Sequence, residues 1–123
     1  MVILYTLAQR QAHAPTAPMV RHSAQVHLNE SSMTGAVTVR PLTVMEDSRC
    51  PRGVQCIQAG TVKVQTQIIS AMGPSVMIFE LGKPITTEAE EVTLTDVSPA
   101  PQAGVTVAPK DYVFTFEIKQ RAR

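Results

Sequence analysis

Tyr112-Val113-Phe114-Thr115-Phe116-Glu117-Ile118-Lys119 places Tyr112, Phe114, Phe116 and Ile118 on one face of an extended chain, and Thr115, Glu117 and Lys119 on the other. A period of two is the mark of a strand with one buried side. The chain has three Phe, two Tyr and no Trp, so this single face gathers three of its five aromatic residues. It is therefore the expected centre of the core.

Other segments repeat the pattern around it. Val62, Val64, Thr66 and Ile68 alternate with Lys63, Gln65 and Gln67, and Ala24, Val26 and Leu28 alternate with Gln25 and His27. Val92, Leu94 and Val97 predict a further strand. So do Val37, Val39, Leu42 and Val44, with Pro41 among them marking an expected bend or change of sheet. Val76 to Leu81 is apolar on both parities, as in a central strand covered on both faces or one with a sticky outer face that could serve a dimer. Val105, Val107 and Ala108 predict a short edge strand stopped by Pro109, while Thr86 to Glu91 offers at most one helical turn.

Composition agrees with strands. Hydrophobic residues make up 44% of the chain although aromatics are scarce, so Val, Ile, Leu and Met must fill the core. The methionines, at 1, 19, 33, 45, 72 and 77, form no ligand cluster and read as gap fillers. Nine prolines and six glycines fall between the short apolar runs, where turns are needed. With no helix able to cover a parallel sheet, the expectation is all-β: an antiparallel two-layer β-sandwich of immunoglobulin-like type with six to eight strands. A small barrel is the alternative.

At 123 residues the chain fits one domain. Met1 to Ala8 is apolar and Ala12-His13-Ala14 has the small-x-small form of a signal-peptidase site, so residues 1–18 read as a partial signal-like or disordered leader. Residues 19–123 read as a single β-sandwich domain. No other run is long enough to span a bilayer. Eleven basic against ten acidic residues leave a net charge of +1 and no basic face for nucleic acid.

Both cysteines lie in Glu46-Asp47-Ser48-Arg49-Cys50-Pro51-Arg52-Gly53-Val54-Gln55-Cys56-Ile57-Gln58-Ala59-Gly60, the cysteine loop. The order Cys50-Pro51-Arg52-Gly53 suits a type I turn led by Cys50, which would bring the two thiols together. A disulfide closing so short a loop contributes about 2 kcal/mol on the loop-entropy model. Redox dithiols favour a C-x-x-C at a helix start, and zinc would want four ligands, whereas all three His lie within the first 27 residues. His22 and His27 fall on opposite strand faces. Carboxylates beside Arg49 and Arg52 stay ionised, which suits salt bridges better than proton transfer. No catalytic Ser/His/Asp order, phosphate loop or metalloprotease motif is visible, so neither enzyme activity nor a cofactor or metal site is expected.

Asp47-Ser48-Arg49-Cys50-Pro51, followed by Gly53-Val54-Gln55-Cys56 and Ala59-Gly60, resembles the signature of a family of small bacterial envelope proteins and lipoproteins of uncharacterised function. Ser98-Pro99-x-Pro101 and Lys110-Asp111-Tyr112 extend the likeness, while Gln58 stands where that family usually has Trp. The resemblance implies an exported β-sandwich, in the periplasm, outer envelope or medium, and supplies no activity or ligand.

The expected function is a non-enzymatic module binding a protein or envelope component, as a monomer or weak homodimer. Asp47, Arg49, Arg52 and Gln58 are its candidate contact residues, and Cys50 and Cys56 its staple. A periplasmic copper or other metal binder, and a small secreted protease inhibitor using the disulfide loop or Ser98 to Gly104, are the alternatives.

Overall fold

The computed structural model describes residues 21–120; the leader expected over residues 1–18 lies outside them. Eight strands follow in order: β1 (Arg21–Val26), β2 (Ser32–Thr34), β3 (Val37–Asp47), β4 (Val62–Ser70), β5 (Gly73–Glu80), β6 (Pro84–Thr86), β7 (Glu90–Ser98) and β8 (Val113–Gln120). They form two antiparallel four-stranded sheets, β1-β8-β7-β6 and β2-β3-β4-β5. The two-layer sandwich is the expected one. Its wiring is simple: one sheet is a meander, and the other is a three-strand meander to which β1 adds beside β8.

β8 is internal to its sheet, and Phe114, Phe116 and Ile118 are wholly buried between the layers. Across from them β4 contributes Val62, Val64, Thr66 and Ile68, as its alternation predicts. Buried Thr66 satisfies its hydroxyl by donating to the Val64 carbonyl at 3.3 Å. Phe79 of β5 meets Phe116 of β8 edge to face, with centroids 5.4 Å apart and planes at 86°. Each of these rings removes its full side chain from water, and truncating one to alanine would forfeit about 3–5 kcal/mol.

Several local expectations change in three dimensions. Pro41 does not send the chain to another sheet; β3 continues through it, with register shifts at Pro41/Thr43 and Val44/Glu46. Proline is tolerated because its position turns its backbone away from β4, and its carbonyl accepts the Asn29 N–H at 2.7 Å. A similar shift between Leu94 and Asp96 in β7 changes parity, which lets Val92, Leu94 and Val97 share the inner face. β5 is an edge strand, not a central one: Met77 and Phe79 point inward while Val76 and Ile78 stand exposed outside.

Val105, Val107 and Ala108 form no edge strand. Residues 99–112 make a loop with a Val105 N–H to Gln102 carbonyl turn at 3.1 Å, and Pro109 starts a 3₁₀ turn, Pro109–Asp111, instead of stopping a strand. Thr86 to Glu91 builds no helical turn either, because Thr87 and Glu90 close the β6–β7 connection. The Thr87 N–H donates to the Glu90 carbonyl at 2.8 Å and the Thr87 hydroxyl to the buried Glu90 carboxylate at 2.8 Å. Met1 and Met19 lie outside the described residues; of the other methionines, Met33, Met45 and Met72 are exposed and only Met77 packs against the core. The three exposed ones fall where volume is not the constraint, Met72 at a hairpin tip.

Candidate functional site

Antiparallel pairing of β3 with β4 ends at Asp47 and Val62, and the cysteine loop is what joins them. Its base is a narrow hairpin stem. The Ser48 N–H donates to the Thr61 carbonyl at 2.8 Å, the Ser48 hydroxyl oxygen accepts the Thr61 N–H at 3.0 Å, and the Cys50 N–H reaches the Ala59 carbonyl at 3.1 Å. Ser48 also donates its hydroxyl proton to Glu46 at 2.8 Å. The stem closes only because Gly60 has no side chain. Its φ is +74°, and a Cβ there would lie 1.7 Å from the Ser48 carbonyl oxygen.

At the top of the stem, Cys50 forms a disulfide with Cys56, their Cα atoms 6.0 Å apart. The expected turn is present but displaced by one residue. The Val54 N–H bonds the Pro51 carbonyl at 3.3 Å, with Gly53 third in the turn at φ +75°. A glycine at positive φ in that position belongs to a type II turn, and Cys50 is left outside the turn as part of the stem.

The loop is tied to the opposite sheet by a polar latch. Arg49 approaches Asp47 with two donors, Nε to Oδ1 and Nη2 to Oδ2, both at 2.9 Å, and sends Nη1 to the Val97 carbonyl of β7 at 2.7 Å. Tyr112, just before β8, donates its hydroxyl to Asp47 Oδ2 at 2.8 Å. Its ring stacks on Phe114 with centroids 5.6 Å apart. Further out, the Arg52 N–H donates to the Pro101 carbonyl at 3.1 Å, and Arg52 bridges to Gln102. The cysteine loop and the 99–112 loop thus enclose a cleft of about 450 Å³, lined by Asp47, Arg49, Pro51, Gln102 and Tyr112 among others.

Electrostatics make this latch a strut. The Arg49 guanidinium, aided by the Tyr112 hydroxyl, holds the Asp47 carboxyl below the usual carboxylate range, and Asp47 in turn raises Arg49. Burial, then the bond to Asp47, pushes the Tyr112 phenol up to about 12. Near neutral pH Asp47 has no proton to give and Tyr112 keeps its own. Neither group is poised for acid/base work.

Of the residues singled out in the sequence, the structure brings Asp47 and Arg49 into direct contact and bridges Cys50 to Cys56. Arg52 and Gln58 are exposed and stand outside the latch. Tyr112 was legible as a core residue but not as the partner of Asp47. The Val97 carbonyl carries no sequence signal at all. Ile57 is the other unforeseen feature: it is fully exposed next to Cys56 in the chain, and Val54, three residues before it, is exposed as well. Apolar residues inside a polar, glycine-rich loop were the available clue. Among the described residues no three His, Cys, Asp or Glu side chains converge as a metal site, and no helix is long and apolar enough to cross a membrane. Comparison with protein-family models, curated proteins and solved structures finds no match.

Proposed function

We propose that this chain is an exported, non-enzymatic β-sandwich module that binds a protein or envelope component through the cysteine-loop pole. The observation that carries this reading is Ile57, whose side chain lies wholly in solvent on a loop fixed by a disulfide. A large aliphatic group that stabilises nothing in its own fold, held on a frame ordered in advance, is what a partner's pocket can use at low entropic cost. Val54 on the same loop and Val105 on its neighbour add exposed apolar surface, with Arg52 and Gln58 as polar contacts around them. The disulfide is compatible with an oxidising, exported location, and the resemblance to small envelope proteins points the same way.

The test is capture from bacterial envelope extract on immobilised protein in four forms: wild type, reduced wild type, Ile57→Asp and Gln65→Glu, the last on the outer face of β4 as a control. A partner held by wild type and Gln65→Glu but lost on reduction and with Ile57→Asp supports the loop. Equal capture by all four forms, or by none, removes it. The same rigid loop also suits a protease inhibitor. Inhibition of a protease in a panel assay, abolished by Ile57→Asp, would select that reading.

A further inference from the structure

The long edge of sheet β2-β3-β4-β5 is unlike the other edges of the sandwich. β2 and β6 are three residues long, with Pro84 opening β6, and β1 turns Arg21, Ser23 and Gln25 outward. β5 has eight residues and shows Val76 and Ile78 at 52% and 53% exposure. Such an edge invites another strand.

Its hydrogen-bonding side follows from the ladder. The Leu81 N–H donates to the Val62 carbonyl at 2.9 Å, one step past the last β4–β5 pair, and the register between the two strands is unbroken. Counting back in twos, Phe79, Met77 and Ser75 direct their backbone groups at β4. Val76, Ile78 and Glu80 direct theirs at the open edge, as does Pro74, whose missing N–H takes nothing from the ladder.

We propose that β5 pairs antiparallel with β5 of a second copy about a two-fold axis at Met77. This register sets Val76 against the partner's Ile78 and Ile78 against the partner's Val76. Both pairs can exchange two N–H···O bonds, and each Glu80 N–H finds the partner's Pro74 carbonyl. Neighbouring registers are worse: centring on Val76 sets Ile78 against the partner's proline, and centring on Ile78 sets Val76 against the partner's glutamate. Ile69, beside Pro74 on β4 and 41% exposed, extends the apolar stripe at either end. Charge is complementary as well. Lys83, 3.3 Å from Glu80 of its own chain and largely exposed, lies just beyond one end of β5, and Glu88, bonded to Ser70, lines the groove at the other end with Met72 and Gly73. Antiparallel pairing therefore brings the Lys83 of each copy to the end that carries the partner's Glu88.

Sedimentation velocity of the full chain over a wide concentration range tests this. Wild type should rise toward twice the single-chain mass, and Ile78→Lys should weaken association at least about tenfold. Val76→Pro removes an outward N–H, none directed at β4, along with the side chain set against the partner's Ile78, and should do the same. Lys83→Glu should weaken the dimer, and Lys83→Glu combined with Glu88→Lys should restore it. Circular dichroism checks that each variant stays folded. A wild type of single-chain mass at every concentration overturns the proposal, and so does a dimer that Ile78→Lys leaves intact.

Discussion

β4 is joined at its two ends in opposite ways. Toward β5 the chain reverses through Ala71-Met72, with Ser70 paired to Gly73 at φ +99° and the Ser70 hydroxyl oxygen accepting the Met72 N–H at 3.3 Å. Toward β3 it departs through the long cysteine loop, whose outer residues bury almost nothing. The short connection needs only one serine side chain and one glycine. The long one is held by a disulfide, a two-pronged ion pair, a serine bonded into its stem and a glycine with no room for a methyl group. Where hydrophobic burial is out of reach, covalent and polar ties replace it, and each is open to separate removal.

The largest effect expected is at the stem. Gly60→Ala must displace the Ser48 carbonyl as well as hold a left-handed residue, and should destabilise the fold by about 3 kcal/mol or more in urea unfolding. A change below about 1 kcal/mol would mean that the stem yields easily. Next, the Cys50→Ser/Cys56→Ser variant should lose about 2 kcal/mol. Amide exchange should quicken between the two positions and stay unchanged at the Ala71-Met72 turn; equal quickening at both would erase the contrast.

Asp47→Asn should then remove about 1–2 kcal/mol at neutral pH. Because Arg49 lowers the folded-state pKa of Asp47, the stability it contributes is complete above the unfolded carboxylate pKa and is lost as pH falls through the folded one. The gap between wild type and Asp47→Asn should close in acid, and a gap independent of pH would contradict the ion pair. The smallest effect belongs to Tyr112→Phe, about 1 kcal/mol. Tyr112 has its pKa raised from 10.0 to about 12, so its contribution is complete below pH 10 and is lost as pH rises through that interval. Phenolate absorbance should show a late-titrating tyrosine in wild type that is absent from Tyr112→Phe.

The strands legible in advance were those whose parity never changes. β4 and β8 carry an unbroken alternation, so their faces could be assigned residue by residue. β7 was legible as a strand through Val92, Leu94 and Val97, but the shift after Leu94 that keeps Val97 on the inner face showed only as a break in the alternation. β5, apolar on both parities, could be read as buried or as sticky; its place at a sheet edge decided the matter. At the loop, the disulfide and the pairing of Asp47 with an arginine followed from neighbouring residues. Tyr112, 65 positions away, reaches Asp47 only because β8 and β3 begin and end at the same pole. Long-range contacts of that kind follow from topology, which spacing along the chain does not encode.

The pairing of β1 with β8 also has a mechanical consequence. Arg21 lies opposite Lys119, so the two ends of the described domain emerge side by side. A force drawing them apart would act across that ladder and load its hydrogen bonds one after another, as a zipper opens, not all at once as in shear. The sandwich should give way under tension at this seam first, peeling β1 from β8 while the cysteine loop at the far pole stays closed.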